Sequence, residues 1–116
     1  MNLEELRDYC LQKKGSNESF PFDDKTLVFK VLDKMFCAVN IENFTSINLK
    51  CDPELSIELR ERYTAVVPGY HMNKDHWNTV HVQQDAMDKE IFEWIDISYN
   101  LVASKLTKKQ KEVLNQ

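Results

Sequence analysis

The sequence predicts an α+β fold with two layers, in which helices cover an antiparallel sheet of about five strands in the order α-β-β-β-α-β-β-α. Apolar residues recur at helical spacing at both ends of the chain, and they alternate with polar residues through much of the middle. Short connections join the first alternating segments, as in an antiparallel meander. With 116 residues, 42% of them hydrophobic, the chain is expected to form one domain over 1–116.

The first half of the chain is predicted to contain one helix and three strands. The apolar residues of the helix are Leu3, Leu6, Cys10 and Leu11. This helix is expected to end near Gly15, because glycine commonly terminates helices. Alternating side chains then predict strands over 26–32, 35–41 and 46–51. Since Lys30, Asn48 and Lys50 fall on faces that need not be buried, one face of the sheet is expected to contact solvent or a partner.

The second half is predicted to begin with a helix at Asp52-Pro53-Glu54, where Asp can cap the helix and Pro suits its first position. Two short strands are expected over 65–67 and 77–83, joined by a loop around Gly69. A long helix capped by Asp88 should follow, with the apolar stripe Ile91, Trp94, Ile95, Ser98 and Val102. Thr107 and Gln110 form the pattern of a capping box, which predicts a short terminal helix.

Composition indicates a cytoplasmic protein. The acidic N-terminal residues do not resemble a signal peptide, and no apolar segment approaches the roughly 20 residues that span a bilayer. Three scattered cysteines favour a reducing compartment over a disulfide framework. The net charge of -4 counts against a dedicated nucleic-acid binder, although residues 25–50 carry four lysines against two acidic residues.

Several sequence segments resemble the MmcQ/YjbR family. They are Phe20-Pro21-Phe22, Val28-Phe29-Lys30-Val31, Lys34-Met35-Phe36, Leu49-Lys50-Cys51-Asp52-Pro53, Pro68-Gly69-Tyr70-His71-Met72-Asn73-Lys74, His76-Trp77-Asn78-Thr79-Val80, Ile97-Ser98-Tyr99 and Leu101-Val102. The resemblance implies a compact α+β fold with helices packed on an antiparallel sheet. It also implies DNA binding through a double-wing arrangement of strands and loops.

Nine residues are candidates for a DNA-binding surface that contacts mainly the phosphate backbone. They are Lys30, Lys34, Lys50, Tyr70, His71, Asn73, Lys74, His76 and Trp77. Lysine can neutralise a phosphate, Asn can pair with a base edge, and aromatic rings can stack on bases. A structural interpretation stays open for several of them: Trp77 can fill the core, Asn78 can satisfy backbone groups, and the strand lysines can simply be solvated.

The sequence does not favour an enzyme, a metal site or a small-molecule cofactor. His71, His76 and His81 are spaced by five residues, which suits neither one helical face nor one strand face. Cys51 falls on the inward face of its strand, and two separated glycines cannot build a phosphate-binding loop. The alternative to DNA binding is a protein-interaction or chaperone-like adaptor module, including a homodimer, which the acidic net charge and an apolar sheet face would suit.

Overall fold

A computed structural model describes residues 1–70 and 72–116, which fold into four helices and one open antiparallel sheet. The helices are α1 (Leu3–Leu11), α2 (Pro53–Arg62), α3 (Asp88–Ser104) and α4 (Lys108–Leu114). The strands are β1 (Ser16–Ser19), β2 (Thr26–Val31), β3 (Lys34–Asn40), β4 (Ser46–Lys50), β5 (Val66–Pro68) and β6 (Trp77–His81). Their order in the sheet is β1-β2-β3-β4-β6-β5, with every neighbouring pair antiparallel. The predicted α+β class is therefore confirmed.

The hydrophobic core lies between the helices and one face of the sheet. All five residues of the predicted α3 stripe are buried, and α3 packs across β2, β3 and β4. Phe29, Phe36 and Ile47 are fully buried beneath it. The helical repeat places one stripe of α3 on the sheet, while alternation along each strand sends every second side chain to the opposite face.

A β-bulge in β3 explains why α3 carries a buried serine. Phe29 pairs with Cys37 but Lys30 pairs with Met35, so Phe36 is an extra residue in its strand. The Ser98 hydroxyl donates to the Phe36 carbonyl at 2.5 Å and accepts from the Lys50 N–H at 2.9 Å. Ser98 thus satisfies backbone groups beside the bulge, as buried polar groups require.

The structure corrects the prediction at three places. A sixth strand, β1, precedes the predicted meander, and α1 ends at Leu11, four residues before Gly15. Met87 is the N-cap of α3, whereas Asp88 is its first helical residue and pairs with the N-terminal amine at 3.0 Å. The capping roles of Asp52 and of the Thr107–Gln110 pair are confirmed. None of the helices in the described part of the chain could span a membrane.

Candidate functional site

The face of the sheet opposite α3, here called the open face, carries two of the predicted lysines in one row. Lys30 pairs with Met35, and Lys50 pairs with Trp77. β3 lies beside β4, and each of these four residues lies at or next to the same end of its strand; they are here called the cationic row. With neighbouring strands about 4.8 Å apart, the backbones of the two lysines lie about 10 Å apart. The register thus brings two cations and the Trp77 ring to the same edge of one surface.

The next row of the open face forms a floor of two apolar and two polar residues that is tied to the β5–β6 loop. It consists of Val28, Ala38, Asn48 and Thr79. The Asn48 amide donates to the Ala38 carbonyl at 3.3 Å and accepts from the Thr79 hydroxyl at 2.6 Å. The Thr79 oxygen also accepts from the Tyr70 N–H at 3.2 Å. Thr79 faces away from the helices, yet it is buried because the loop folds back over it.

Two irregular segments stand on either side of this floor and turn it into a groove of about 880 Å³. One wall, from the β1–β2 connection, contributes Phe22 and Asp23. The other wall, from the β5–β6 loop, contributes Tyr70, Met72 and Asn73. The Phe22 side chain is 70% exposed and the Tyr70 side chain 61% exposed. The groove therefore presents two accessible aromatic residues above small floor residues, in the size range of ligand-binding clefts.

The shape of the β5–β6 loop depends on Gly69 and Asn73. The Gly69 N–H donates to the Trp77 carbonyl at 2.9 Å, and a Cβ at this glycine would lie 3.0 Å from the Trp77 Cβ. A Cβ there would be tighter than ordinary van der Waals contact, so Trp77 would have to shift to accommodate a side chain. The Asn73 side chain accepts from the Asp75 N–H at 2.9 Å, and the Asn73 backbone carbonyl accepts from the N–H of Trp77. Asn73 therefore shapes the turn while lining the groove.

Arg60 on α2 anchors the same loop from the helix side. Its Nε donates to Asn78 Oδ1 at 2.8 Å, and its Nη2 donates to the Lys74 and Trp77 carbonyls. Asn78 is 2% exposed and also donates to Ser56, so its amide binds side chains and not the backbone groups considered in the sequence analysis. Sequence reasoning did not identify Arg60, because nothing in its local pattern distinguishes it from other surface arginines of a helix.

Three of the predicted residues thus line the groove, and two of the predicted strand lysines lie on the open face. Tyr70, Asn73 and Trp77 line the groove, and Lys30 and Lys50 belong to the cationic row. Lys34 is exposed at the start of β3, beside Met35, while Lys74 and His76 are exposed in the β5–β6 loop. His71 lies outside the described residues.

Trp77 does not belong to the core beneath the helices. It is 8% exposed, but it lies on the open face and lines the groove. The ion pairs among residues 1–70 and 72–116 leave out Lys30, Lys34, Lys50 and Lys74. These ammonium groups are not neutralised by salt bridges within the described chain.

The groove has an acidic end opposite its cationic row. Asp23 accepts the N–H groups of Lys25 and Thr26 at 2.9 and 2.7 Å, and these bonds hold the pKa of its carboxyl below the usual value. Asp23 is therefore ionised at neutral pH. Thr26 pairs with Asn40 at the end of β2 and β3 farthest from Lys30 and Met35, so Asp23 lies at the end of the open face away from Lys30.

The thiols and acidic groups offer little for catalysis or metal binding. Cys10, Cys37 and Cys51 are all buried, and burial raises the pKa of the Cys37 and Cys51 thiols above the ordinary value. A raised pKa keeps a thiol protonated and unreactive. Across 1–70 and 72–116, no three His, Cys, Asp or Glu side chains come close enough to hold a metal ion.

Comparison with known proteins identifies the family. The YjbR family model matches residues 11–101. The uncharacterized protein YjbR of Escherichia coli K12 is 35% identical over 117 residues, covering 100% of this chain and 99% of the relative. The uncharacterized protein YbdF of Escherichia coli O157:H7 is 34% identical over 94 residues, covering 80% of this chain and 77% of the relative. Neither description names a reaction or a ligand.

Solved structures share the fold. The crystal structure of Deinococcus radiodurans protein DR2400 superposes with a TM-score of 0.91 at 39% identity, covering 98% of this chain and 88% of that one. The crystal structure of a Pseudomonas syringae protein gives a TM-score of 0.74 at 30% identity, covering 88% of this chain and 99% of that one. The family match, the full-length relative and the structural agreement together show that the chain belongs to the YjbR family.

Proposed function

We propose that the protein binds DNA on its open face and contacts mainly the phosphate backbone. The observation that carries the proposal is the cationic row, in which Lys30 and Lys50 lie on either side of Met35, with Trp77 beyond Lys50, on the surface that also holds the groove. Lysines that neutralise phosphates provide most of the affinity of proteins that bind DNA without strong sequence preference. Lys34 and Lys74 extend the same edge of the sheet.

The acidic net charge of the protein is compatible with this proposal because most of its carboxylates lie on the helices. α1 and α3 carry acidic residues in their first turns, Glu4, Glu5, Asp88 and Glu90, and these belong to the helix layer. The row on the open face contains two lysines and no carboxylate. A local cationic surface can attract a polyanion at short range even when the whole molecule is negative, since salt screens distant charges beyond about 8 Å at physiological ionic strength.

A salt titration tests the proposal. A labelled oligonucleotide of mixed sequence, supplied as a single strand and as a duplex, is titrated with protein and followed by fluorescence anisotropy at several salt concentrations. Two to four phosphate contacts predict a slope of log affinity against log salt of about -1.4 to -3.6. Lack of binding to both forms at low salt would show the proposal to be wrong.

A matched pair of double variants assigns the surface. Lys30→Ala with Lys50→Ala removes both lysines of the cationic row and is expected to flatten the slope by about 1.4 to 1.8. Lys89→Ala with Lys105→Ala removes the same charge from the two ends of α3, where both residues are exposed, and should leave the slope unchanged. Equal effects of the two double variants would mean that only net charge matters.

A protein partner is the second candidate, because apolar side chains are exposed beside the groove. Phe20 is 47% exposed and Phe22 is 70% exposed on the same short segment. Clustered exposed aromatic residues are enriched where proteins bind one another. Native mass spectrometry of the purified protein tests the homodimer directly. A protein that is monomeric at all concentrations would contradict that form of the idea, and a dimer that persists unchanged in Phe22→Ala would show that Phe22 does not hold it together.

A further inference from the structure

We infer that the open face binds unpaired nucleotides, with bases entering the groove between Phe22 and Tyr70 and phosphates lying along the cationic row. The inference rests on the proposed DNA binding and specifies the form of the ligand. Its basis is the shape of the site, the exposure of its two aromatic residues and the position of its charges.

The shape of the site favours a single strand over a duplex. Proteins that read duplex DNA insert a protruding helix or strand ribbon into the major groove. Here the surface is concave, with Phe22 on one wall, Tyr70 and Met72 on the other, and Ala38 and Asn48 on the floor. A stacked, paired base cannot enter such a groove, whereas an unpaired base that is turned outwards can.

The two aromatic walls have accessible rings, which is what base stacking requires. Phe22 and Tyr70 are 70% and 61% exposed. Neither belongs to the hydrophobic core or to its partly buried margin. Single-stranded DNA-binding proteins combine stacking on aromatic side chains with a cationic path for the backbone. The groove and the cationic row provide these two parts side by side.

The charged side chains of the open face orient the bound single-stranded DNA. Asp23 lies on the wall that also carries Phe22, at the end of the sheet away from Lys30 and Lys50. Phosphates are repelled by this carboxylate and attracted to the row. The sugar-phosphate backbone of the bound DNA is therefore placed along Lys30, Lys50 and Trp77. Its bases are directed across the floor towards the end of the groove that Asn40 and Ser46 line.

An abasic oligonucleotide separates stacking from phosphate binding. Three labelled ligands of equal length are compared by fluorescence anisotropy: a mixed-sequence single strand, its duplex, and an abasic strand that keeps the sugar-phosphate backbone. The single strand is expected to bind about tenfold or more tightly than the abasic strand, because each stacked base contributes about fivefold or more. The duplex is expected to bind more weakly than the single strand.

Matched aromatic variants locate the bases. Phe22→Ala and Tyr70→Ala are each expected to weaken binding of the single strand by about fivefold or more, with little effect on the abasic strand. Phe20→Ala is the control, because Phe20 is 47% exposed on the same segment but does not line the groove. Since all three side chains are largely exposed, circular dichroism should show the same fold for every variant.

The outcomes distinguish this inference from the proposed function. If the abasic strand or the duplex binds as tightly as the single strand, and the Lys30 and Lys50 variants weaken that binding, the protein binds DNA but not by base stacking, and the inference is overturned. Failure of all three ligands to bind at low salt would overturn both. A loss that is the same for Phe20→Ala and Phe22→Ala would also contradict the assignment of the groove.

Discussion

Arg60→Ala removes the contact that anchors the β5–β6 loop to α2. The guanidinium donates to three acceptors, which are Asn78 Oδ1 at 2.8 Å, the Trp77 carbonyl at 3.3 Å and the Lys74 carbonyl. These acceptors lie 14 to 18 residues away along the chain. The substitution therefore tests a tertiary contact and not the propensity of the helix.

The expected loss in the free energy of unfolding depends mainly on one of the three acceptors, Asn78. Asn78 is 2% exposed, so water cannot easily replace the lost donor, and a buried unsatisfied acceptor costs about 1–3 kcal/mol. Lys74 is exposed, and water can bind its carbonyl. The Trp77 carbonyl keeps its bond from the Gly69 N–H at 2.9 Å. We therefore expect the free energy of unfolding to fall by about 2 kcal/mol, less than the sum of three hydrogen bonds to a charged donor.

Urea denaturation at neutral pH measures this loss, and Arg62→Ala is its control. Arg62 is exposed in the same last turn of α2, so its removal takes the same charge from the same helix terminus. Its contact with the Tyr63 ring, at 5.4 Å, accounts for a loss of about 0.5–1 kcal/mol. Equal losses for the two arginine variants would refute the anchoring role of Arg60.

Three further predictions concern the loop, acid stability and the thiols. Gly69→Ala should lower the free energy of unfolding by about 1–3 kcal/mol in urea denaturation, since its Cβ would lie 3.1 Å from the Trp77 carbonyl oxygen; an unchanged midpoint would contradict the close approach. Hydrogen bonds from Arg7 hold the pKa of Glu18 below its usual 4.5, so the carboxylate stabilises the fold above about pH 4.5 and this contribution is lost as the pH falls through the lowered pKa. Glu18→Gln should therefore make the unfolding free energy less sensitive to pH below about 5. The same pH dependence in the variant and in the unaltered protein would disprove the contribution. Burial of all three cysteines predicts that a thiol reagent at pH 8 reacts only after denaturant is added, and rapid labelling of the native protein would count against it.

The fold was largely predictable because its main elements have strong local patterns. The α3 stripe repeats at three and four residues, and the inner strands alternate apolar with polar side chains. β1 was missed because Ser16–Ser19 contains no apolar residue, so nothing in the segment marks it as a strand. It forms by pairing with β2 and by the contact of Glu18 with Arg7 on α1, which are both long-range interactions.

The candidate site was predictable on the regular strands and in part of the β5–β6 loop, but not on the wall formed by the β1–β2 connection. The period of two along a strand places Lys30 and Lys50 on the face away from the core, and both lie near the same end of the sheet. The walls of the groove depend on how irregular segments fold back over the sheet, which no local pattern specifies. Phe22 was consequently not among the predicted site residues, although it is the most exposed aromatic residue on the groove.

The two tryptophans provide the most direct test of DNA binding on the open face, because they lie on opposite faces of the sheet. Trp77 lines the groove, whereas Trp94 lies in the core beneath the helices and contacts the Tyr63 ring edge-on at 5.1 Å. In a nuclear magnetic resonance titration with a single-stranded oligonucleotide, the indole N–H signal of Trp77 should shift while that of Trp94 stays in place. A shift of Trp94 without one of Trp77 would place the nucleic acid elsewhere and contradict the proposed surface.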